Sequence, residues 1–219
     1  VYKRQDIPPS IGSTLMTLEH ETINQPAFQN VRLAPSYAEN KQDSLALQVL
    51  QEILSGGPTT RLYKNLVVNQ KKAISVSLSY SSSALNTSTI WISGTPADDV
   101  SLEELESLIM AEINDIINSG VTEIEVKEAI QRLKDAAIFA RDSVSGPAMI
   151  FGQELTTGNT IDGIENWPEN ISKITPQQIQ TVAKKYLDNK NPWRRSSITG
   201  HLLPIQDTVT QDIEEKEPK

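Results

Sequence analysis

The 219-residue chain carries 20 Lys and Arg against 28 Asp and Glu, a net charge of −8, and no cysteine. That length suits one large domain or two small ones, with a core that needs no disulfides. The charge excludes a general nucleic-acid binder and an electrostatic binder of anionic lipid, and the missing thiols exclude a disulfide framework, a thiolate metal site and a cysteine nucleophile. No run of about 18 apolar residues occurs, so no helix is expected to span a membrane. The chain opens at Val1 with no signal peptide, and is expected to be an excerpt of a longer protein or one processed at its N-terminus.

Residues 1–11, with Pro8-Pro9, read as an extended linker. Alternation over Ser13 to Glu21 predicts a strand, and a second follows Pro26, with Ala27, Gln29, Val31 and Leu33 alternating with Phe28, Asn30 and Arg32. Ala46, Val49, Leu50 and Ile53 repeat at helical spacing until Gly56-Gly57-Pro58 stops the helix. Thr59 or Thr60 is expected to cap a second helix carrying Leu62, Tyr63, Leu66 and Val67. Beyond Lys72 the period becomes two, with Ile74, Val76, Leu78 and Tyr80 assigned to one face of a strand and serines to the other. A short polar loop leads to a strand from Leu85 to Thr95, which favours an antiparallel pair.

Ser101-Leu102-Glu103-Glu104 reads as a capping box before a helix with Leu102, Leu105, Ile109, Ile113 and Ile116 on one face, ended by Gly120. Thr122 to Glu125 is a second box, starting a helix whose Glu128, Arg132, Lys134 and Asp135 form an expected solvated side. Ser145-Gly146-Pro147 starts a short helix, Trp167-Pro168 marks an irregular point, and Thr175-Pro176-Gln177-Gln178 opens a last helix. Trp193 to Leu203 reads as a strand, and residues 205–219 as an acidic flexible tail. Strands in adjacent pairs with helices bunched between them indicate an α+β fold: a mostly antiparallel sheet with helices on one face, over residues 12–204.

The chemistry-bearing residues are sparse. The two histidines, His20 and His201, have no metal-ligand spacing, no Gly-x-Ser-x-Gly elbow occurs, and Gly56-Gly57 lacks the lysine of a phosphate loop. The segment Gly56-Gly57-Pro58-Thr59-Thr60-Arg61-Leu62 resembles the glycine-glycine-x-x-x-Arg-Leu stretch of the pitrilysin-like zinc metallopeptidases. Further landmarks in the family's order are Leu33 to Tyr37, Val121-Thr122-Glu123, Arg141-Asp142-Ser143, Trp167-Pro168, Ile174-Thr175-Pro176 and Thr199 to Pro204.

The resemblance is to the C-terminal, zinc-free half of a bacterial member. It implies a half of a peptide-hydrolysing chamber, with no cofactor in this segment and zinc in an N-terminal half on the same chain or a partner subunit. It implies a peptide substrate, and Arg61 near the substrate carbonyl, where a fixed cation stabilises a developing oxyanion. It also places Gly56 and Gly57 at the substrate. The tyrosine usual in the family falls at Ile74 here, and Tyr80 is the substitute candidate, about 20 Å further along an extended strand. A periplasmic location follows from the family, with the cytoplasm as the alternative, and a homodimer is a further arrangement. The alternative readings are a noncatalytic homologue acting as a scaffold or peptide-binding subunit, and an unrelated α+β interaction domain.

Overall fold

The computed structural model describes residues 12–189 and 197–205. The expected linker over residues 1–11, the tail beyond residue 205 and the start of the last strand at Trp193 lie outside the described residues. The elements run β1 (Thr14–His20), β2 (Ala27–Ala34), α1 (Lys41–Ser55), a π-helix (Tyr63–Asn69), β3 (Ala73–Tyr80) and β4 (Ser88–Pro96). They continue with α2 (Leu102–Ser119), α3 (Glu123–Asp142), α4 (Gly146–Thr156), α5 (Ile161–Glu165), α6 (Trp167–Ile171), α7 (Pro176–Leu187) and β5 (Ser197–Pro204).

The strands form one sheet in the order β1-β5-β2-β4-β3. Its β5–β2, β2–β4 and β4–β3 ladders are antiparallel, while β1 lies parallel to β5 at the edge. This is the α+β architecture that the order of elements indicated. Helices α1, α2 and α7 cover one face of the sheet. Phe28, Val76, Leu78, Ile90 and Ile92 are buried beneath Leu105, Ile109, Ile113 and Ile116 of α2 and the apolar side of α1. On the other face Ser75, Ser77, Ser79 and Trp91 are exposed.

Helix α1 is apolar nearly all round: Leu45, Leu47 and Leu54 are buried along with Ala46, Val49, Leu50 and Ile53. A helix of that kind must be covered on every side. Here β3, α3 and α7 provide the cover. Asp43 in the first turn of α1 accepts from Tyr186 Oη and Lys185 Nζ, both at 2.6 Å, which fixes α7 against it.

Several local expectations change. A β-bulge between Ala73 and Ser75 shifts the phase of β3, so Ile74 is 47% exposed and does not share a face with the buried Tyr80. Thr60 does begin the helical segment, its carbonyl accepting from Lys64 N at 2.9 Å, but its hydroxyl donates back to Gly57 O at 2.6 Å instead of accepting as a cap. The turns then widen: Gln70 N bonds Asn65 O and Lys72 N bonds Leu66 O, which keeps Leu62 and Leu66 in the core. Ser101 caps α2 through Glu104 N, yet Glu104 turns its carboxylate to Lys72 at 2.9 Å, so only half of that box forms. Trp167-Pro168 starts α6, with proline in the first turn, where its missing N–H is of no consequence. Arg132, still 38% exposed, does more than face solvent: its Nε donates to the buried Glu52 carboxylate at 2.6 Å and ties α3 to α1.

The inward side of β2 is its polar side. Arg32 is 5% exposed and donates to Asn30 Oδ1 at 2.8 Å, Leu187 O at 2.8 Å and Asn189 Oδ1 at 2.7 Å. Asn30 in turn donates to Thr199 Oγ1 at 2.8 Å. Leu187 ends α7, so the guanidinium caps the electronegative end of that helix. Burial lowers the Arg32 pKa to about 10, against the opposing pull of Glu106 and Asp188.

Gly94 sets how closely α2 approaches the sheet. A Cβ there would lie 2.9 Å from Leu105 Cδ2 and 3.1 Å from Ile109 Cδ1. Gly94→Ala is expected to destabilise the fold by about 1–3 kcal/mol through overpacking. Urea unfolding of the two proteins measures it, and equal midpoints would show that α2 shifts freely on the sheet.

Candidate functional site

Arg61 stands at the start of the second helical segment, just past the glycine turn. Its guanidinium forms a fork on Glu125, with Nε to Oε1 at 2.7 Å and Nη2 to Oε2 at 3.1 Å. Nη1 reaches Asp115 Oδ2 at 2.8 Å. Arg61 thus joins the π-helical segment to α2 and α3. The fork geometry of guanidinium on carboxylate makes this the strongest kind of charge-assisted pairing. Arg61 also lines a cavity of about 270 Å³ shared with Thr59, Lys64, Glu128 and Arg132.

Glu125 has a second task. It closes the capping box of α3, accepting from Thr122 N at 2.8 Å and Thr122 Oγ1 at 2.9 Å. Burial works to raise its pKa, but the Arg61 and Thr122 hydrogen bonds and the Arg61 charge outweigh it and hold the carboxyl at about 2. At Arg61 burial works to lower the pKa, and the bonds and charges of Glu125 and Asp115 outweigh it and raise it. The capping spacing of Thr122 and Glu125 is legible in the sequence. The partnership of Glu125 and Asp115 with Arg61 is not, because both lie more than fifty residues away and helix packing alone brings them there.

Tyr80 is buried, and its hydroxyl donates to Pro35 O at 2.5 Å while lying 2.9 Å from Ser44 Oγ. Burial raises its pKa. Tyr80 therefore pins the end of β3 to the first turns of α1 and the exit of β2, and contact with a substrate would require both bonds to break. The structure does not bring it together with Arg61 in one hydrogen-bonded cluster. Gly56 caps the C-terminal end of α1, where a side chain would collide with the Glu52 carboxylate, and Gly57 O receives the Thr60 hydroxyl.

His20 Nδ1 lies 2.9 Å from Thr22 Oγ1 on the exposed β1 end. His201 is buried, edge-on to Phe28, with Nδ1 3.8 Å from Glu103 Oε1 and Nε2 3.5 Å from Glu106 Oε2. Among the described residues no group of three or more His, Cys, Asp or Glu is placed to hold a metal ion. The donor set here does not fit zinc.

A five-stranded sheet with helices on one face, and an arginine after a glycine turn ion-paired to α2 and α3, define an α+β domain. Residues 3–133 match the family model described as the peptidase M16 inactive domain, and the chain belongs to that family. No curated protein matches it significantly in sequence. Among solved structures, a protease from Helicobacter pylori superposes with a TM-score of 0.79 at 18% identity, covering 90% of this chain and 46% of that one. The inactive peptidase domain of a candidate zinc protease from Bordetella parapertussis gives a TM-score of 0.72 at 14% identity, over 85% of this chain and 96% of that one. The periplasmic protease PqqL from Escherichia coli gives 0.66 at 19% identity, over 93% of this chain and 23% of that one. These likenesses show the fold. The chain spans about half the length of the Helicobacter protease.

The Arg61–Glu125 pair sets an acid dependence. The folded Glu125 pKa lies near 2, below the ordinary 4.5, so its contribution to stability is complete above about pH 5 and fades as the pH falls through that interval. Glu125→Gln is expected to lower stability by about 1–3 kcal/mol at neutral pH, by loosening a partly buried charge-assisted fork. The gap to the parent protein should close toward about pH 2, as the parent's own carboxylate protonates. Denaturant melts of both proteins across that range measure it; a gap independent of pH would show that the pair does not couple to folding.

Proposed function

We propose that this chain forms the zinc-free half of the substrate chamber of a metallopeptidase, with the zinc held by a complementary half on the same polypeptide or on a partner subunit. The observation that carries this reading is the uncovered face of the sheet. Trp91, Ile74 and Ile198 stand 46%, 47% and 51% exposed there, beside the exposed serines of β3. A sheet that is dressed on one side only, in a chain that spans 46% of a related protease, suits a second half closing over that side.

The free edge of β3 offers backbone groups to an extended peptide, in the manner of strand addition. The donors that would bind zinc belong to the other half, since among the described residues neither His20 nor His201 stands in a group placed to hold a metal ion. The likeness to a periplasmic protease supports the periplasm as the compartment.

Arg61 is tied to α2 and α3, the covering helices, and not to the uncovered face, so it enters this proposal separately, with one exchangeable arm. Asp115 is 56% exposed whereas Glu125 is 30% exposed, so a substrate carbonyl competes for Nη1 while the Glu125 fork keeps the guanidinium in place.

The test is peptide hydrolysis by this chain combined with the half that carries a His-x-x-Glu-His motif. Activity that needs both halves and is lost to a chelator is the expected result. If no such half accompanies the chain, or if hydrolysis proceeds equally without it, the reading fails. Arg61→Ala in the assembly is expected to lower kcat by about 10²-fold if it meets the developing oxyanion. Asp115→Asn, which frees Nη1 and leaves the Glu125 fork, should leave kcat at the parent level or above. Unchanged turnover in folded Arg61→Ala assemblies assigns Arg61 to holding the helices alone.

A further inference from the structure

Away from Arg61 and from the open sheet face, a small cavity of about 210 Å³ sits where α1, α3, α4, α5 and α6 converge. Its apolar walls come from Ile150 of α4, Ile164 of α5 and Trp167 of α6. The size suits one large apolar side chain.

Its polar groups are unbalanced toward donors. The Tyr37 hydroxyl belongs to a residue only 8% exposed, and it has no hydrogen-bond partner. Gln48 accepts from Trp167 Nε1 at 3.0 Å through its Oε1, which orients the side chain and leaves its amide N–H groups to donate. Arg141, at the end of α3, makes no ion pair among the described residues. The one carboxylate in the wall, Glu154, already accepts from Ser83 Oγ and from Asn159 Nδ2. A buried hydroxyl without an acceptor is destabilising, and a ligand that supplies the acceptor removes that penalty.

We infer that this cavity is a binding site for an apolar group ending in a carboxylate. The apolar part fills the space against Ile150, Ile164 and Trp167, and the carboxylate receives the Tyr37 hydroxyl and the Arg141 guanidinium. Two sources carry this chemistry: the C-terminal residue of a peptide, and a free branched carboxylic acid. The peptide source rests on the peptidase reading above; the pocket itself does not.

Titration of the 219-residue chain, followed by calorimetry or by amide chemical shifts, tests this with four probes: N-acetyl-leucine, N-acetyl-leucine amide, a tripeptide ending in leucine, and 4-methylpentanoate. The free acids should saturate the site, with N-acetyl-leucine amide weaker by roughly fivefold or more for want of the charge. Tyr37→Phe and Arg141→Gln should each weaken the acids by roughly three- to tenfold, the loss of one hydrogen bond, with the melting temperature unchanged in Arg141→Gln and unchanged or higher in Tyr37→Phe, which removes an unpaired buried hydroxyl. Arg141 is exposed, so its variant keeps the test sound if the buried Tyr37→Phe perturbs folding. A tripeptide tighter than 4-methylpentanoate identifies the peptide source, and equal affinity identifies the free acid. No saturation by any acid, or equal binding of acid and amide with Arg141→Gln unaffected, overturns the inference. Hydrolysis by the assembled halves without this binding would leave the peptidase reading standing, and binding without hydrolysis would do the reverse.

Discussion

The structure depends on the burial of α1. Seven of its apolar residues, Leu45, Ala46, Leu47, Val49, Leu50, Ile53 and Leu54, are withdrawn from water, which leaves no side of the helix free to face solvent. Burying side chains of this size is worth about 1.5–3 kcal/mol each. The rest of the fold can be read as cover for that helix: β3 beneath it, α3 and α7 beside it, α6 over the seam at Gln48. The polar ties sit where these covers meet. Asp43 holds α7, Glu52 holds α3 through Arg132, and Gln48 holds α6 through Trp167. Each places a hydrogen bond at the margin of an apolar contact, where an unpaired group would otherwise be stranded.

The same arrangement explains why the sheet is bare on its other side. The helices are committed to α1 and to the inward face of the sheet, and no described helix packs on the outer one. Apolar residues on that outer face, Trp91, Ile74 and Ile198, alternate with serine, threonine and glutamine along the strands. The chain belongs to the peptidase M16 inactive-domain family and spans 46% of the Helicobacter pylori protease whose fold it shares.

Charge here is used mainly to join helices. Arg61, Arg32 and Arg132 each bridge elements far apart in the chain, and each is at least partly withdrawn from solvent. Arginine suits this because its planar fork meets carboxylates and carbonyls in fixed geometry and stays charged on burial. Arg32 is the extreme case, ending α7 from a strand across the sheet. An arginine used in this way is hard to tell from one that meets a substrate until its partners are seen.

Much of the fold was readable in the chain itself. Helix starts at Thr122 and Thr175 form the full capping boxes their spacing indicated, and the apolar stripe of α2 is buried as its period of 3.6 requires. These features are local, so neighbouring residues are enough to specify them. The family resemblance of the glycine turn was also legible, because it rests on a short run of residues. What only the tertiary structure decided is non-local. The bulge that turns Ile74 outward, the parallel pairing of β1 with β5, the inward polar face of β2 and the partners of Arg61 and Tyr80 all depend on segments tens of residues apart. The sequence determined the strands and the longer helices, though not the short α5 and α6, and that the apolar segments must be covered. Packing decided which side of each is covered and which charges meet, since those outcomes minimise exposed apolar surface and unpaired polar groups over the whole chain at once.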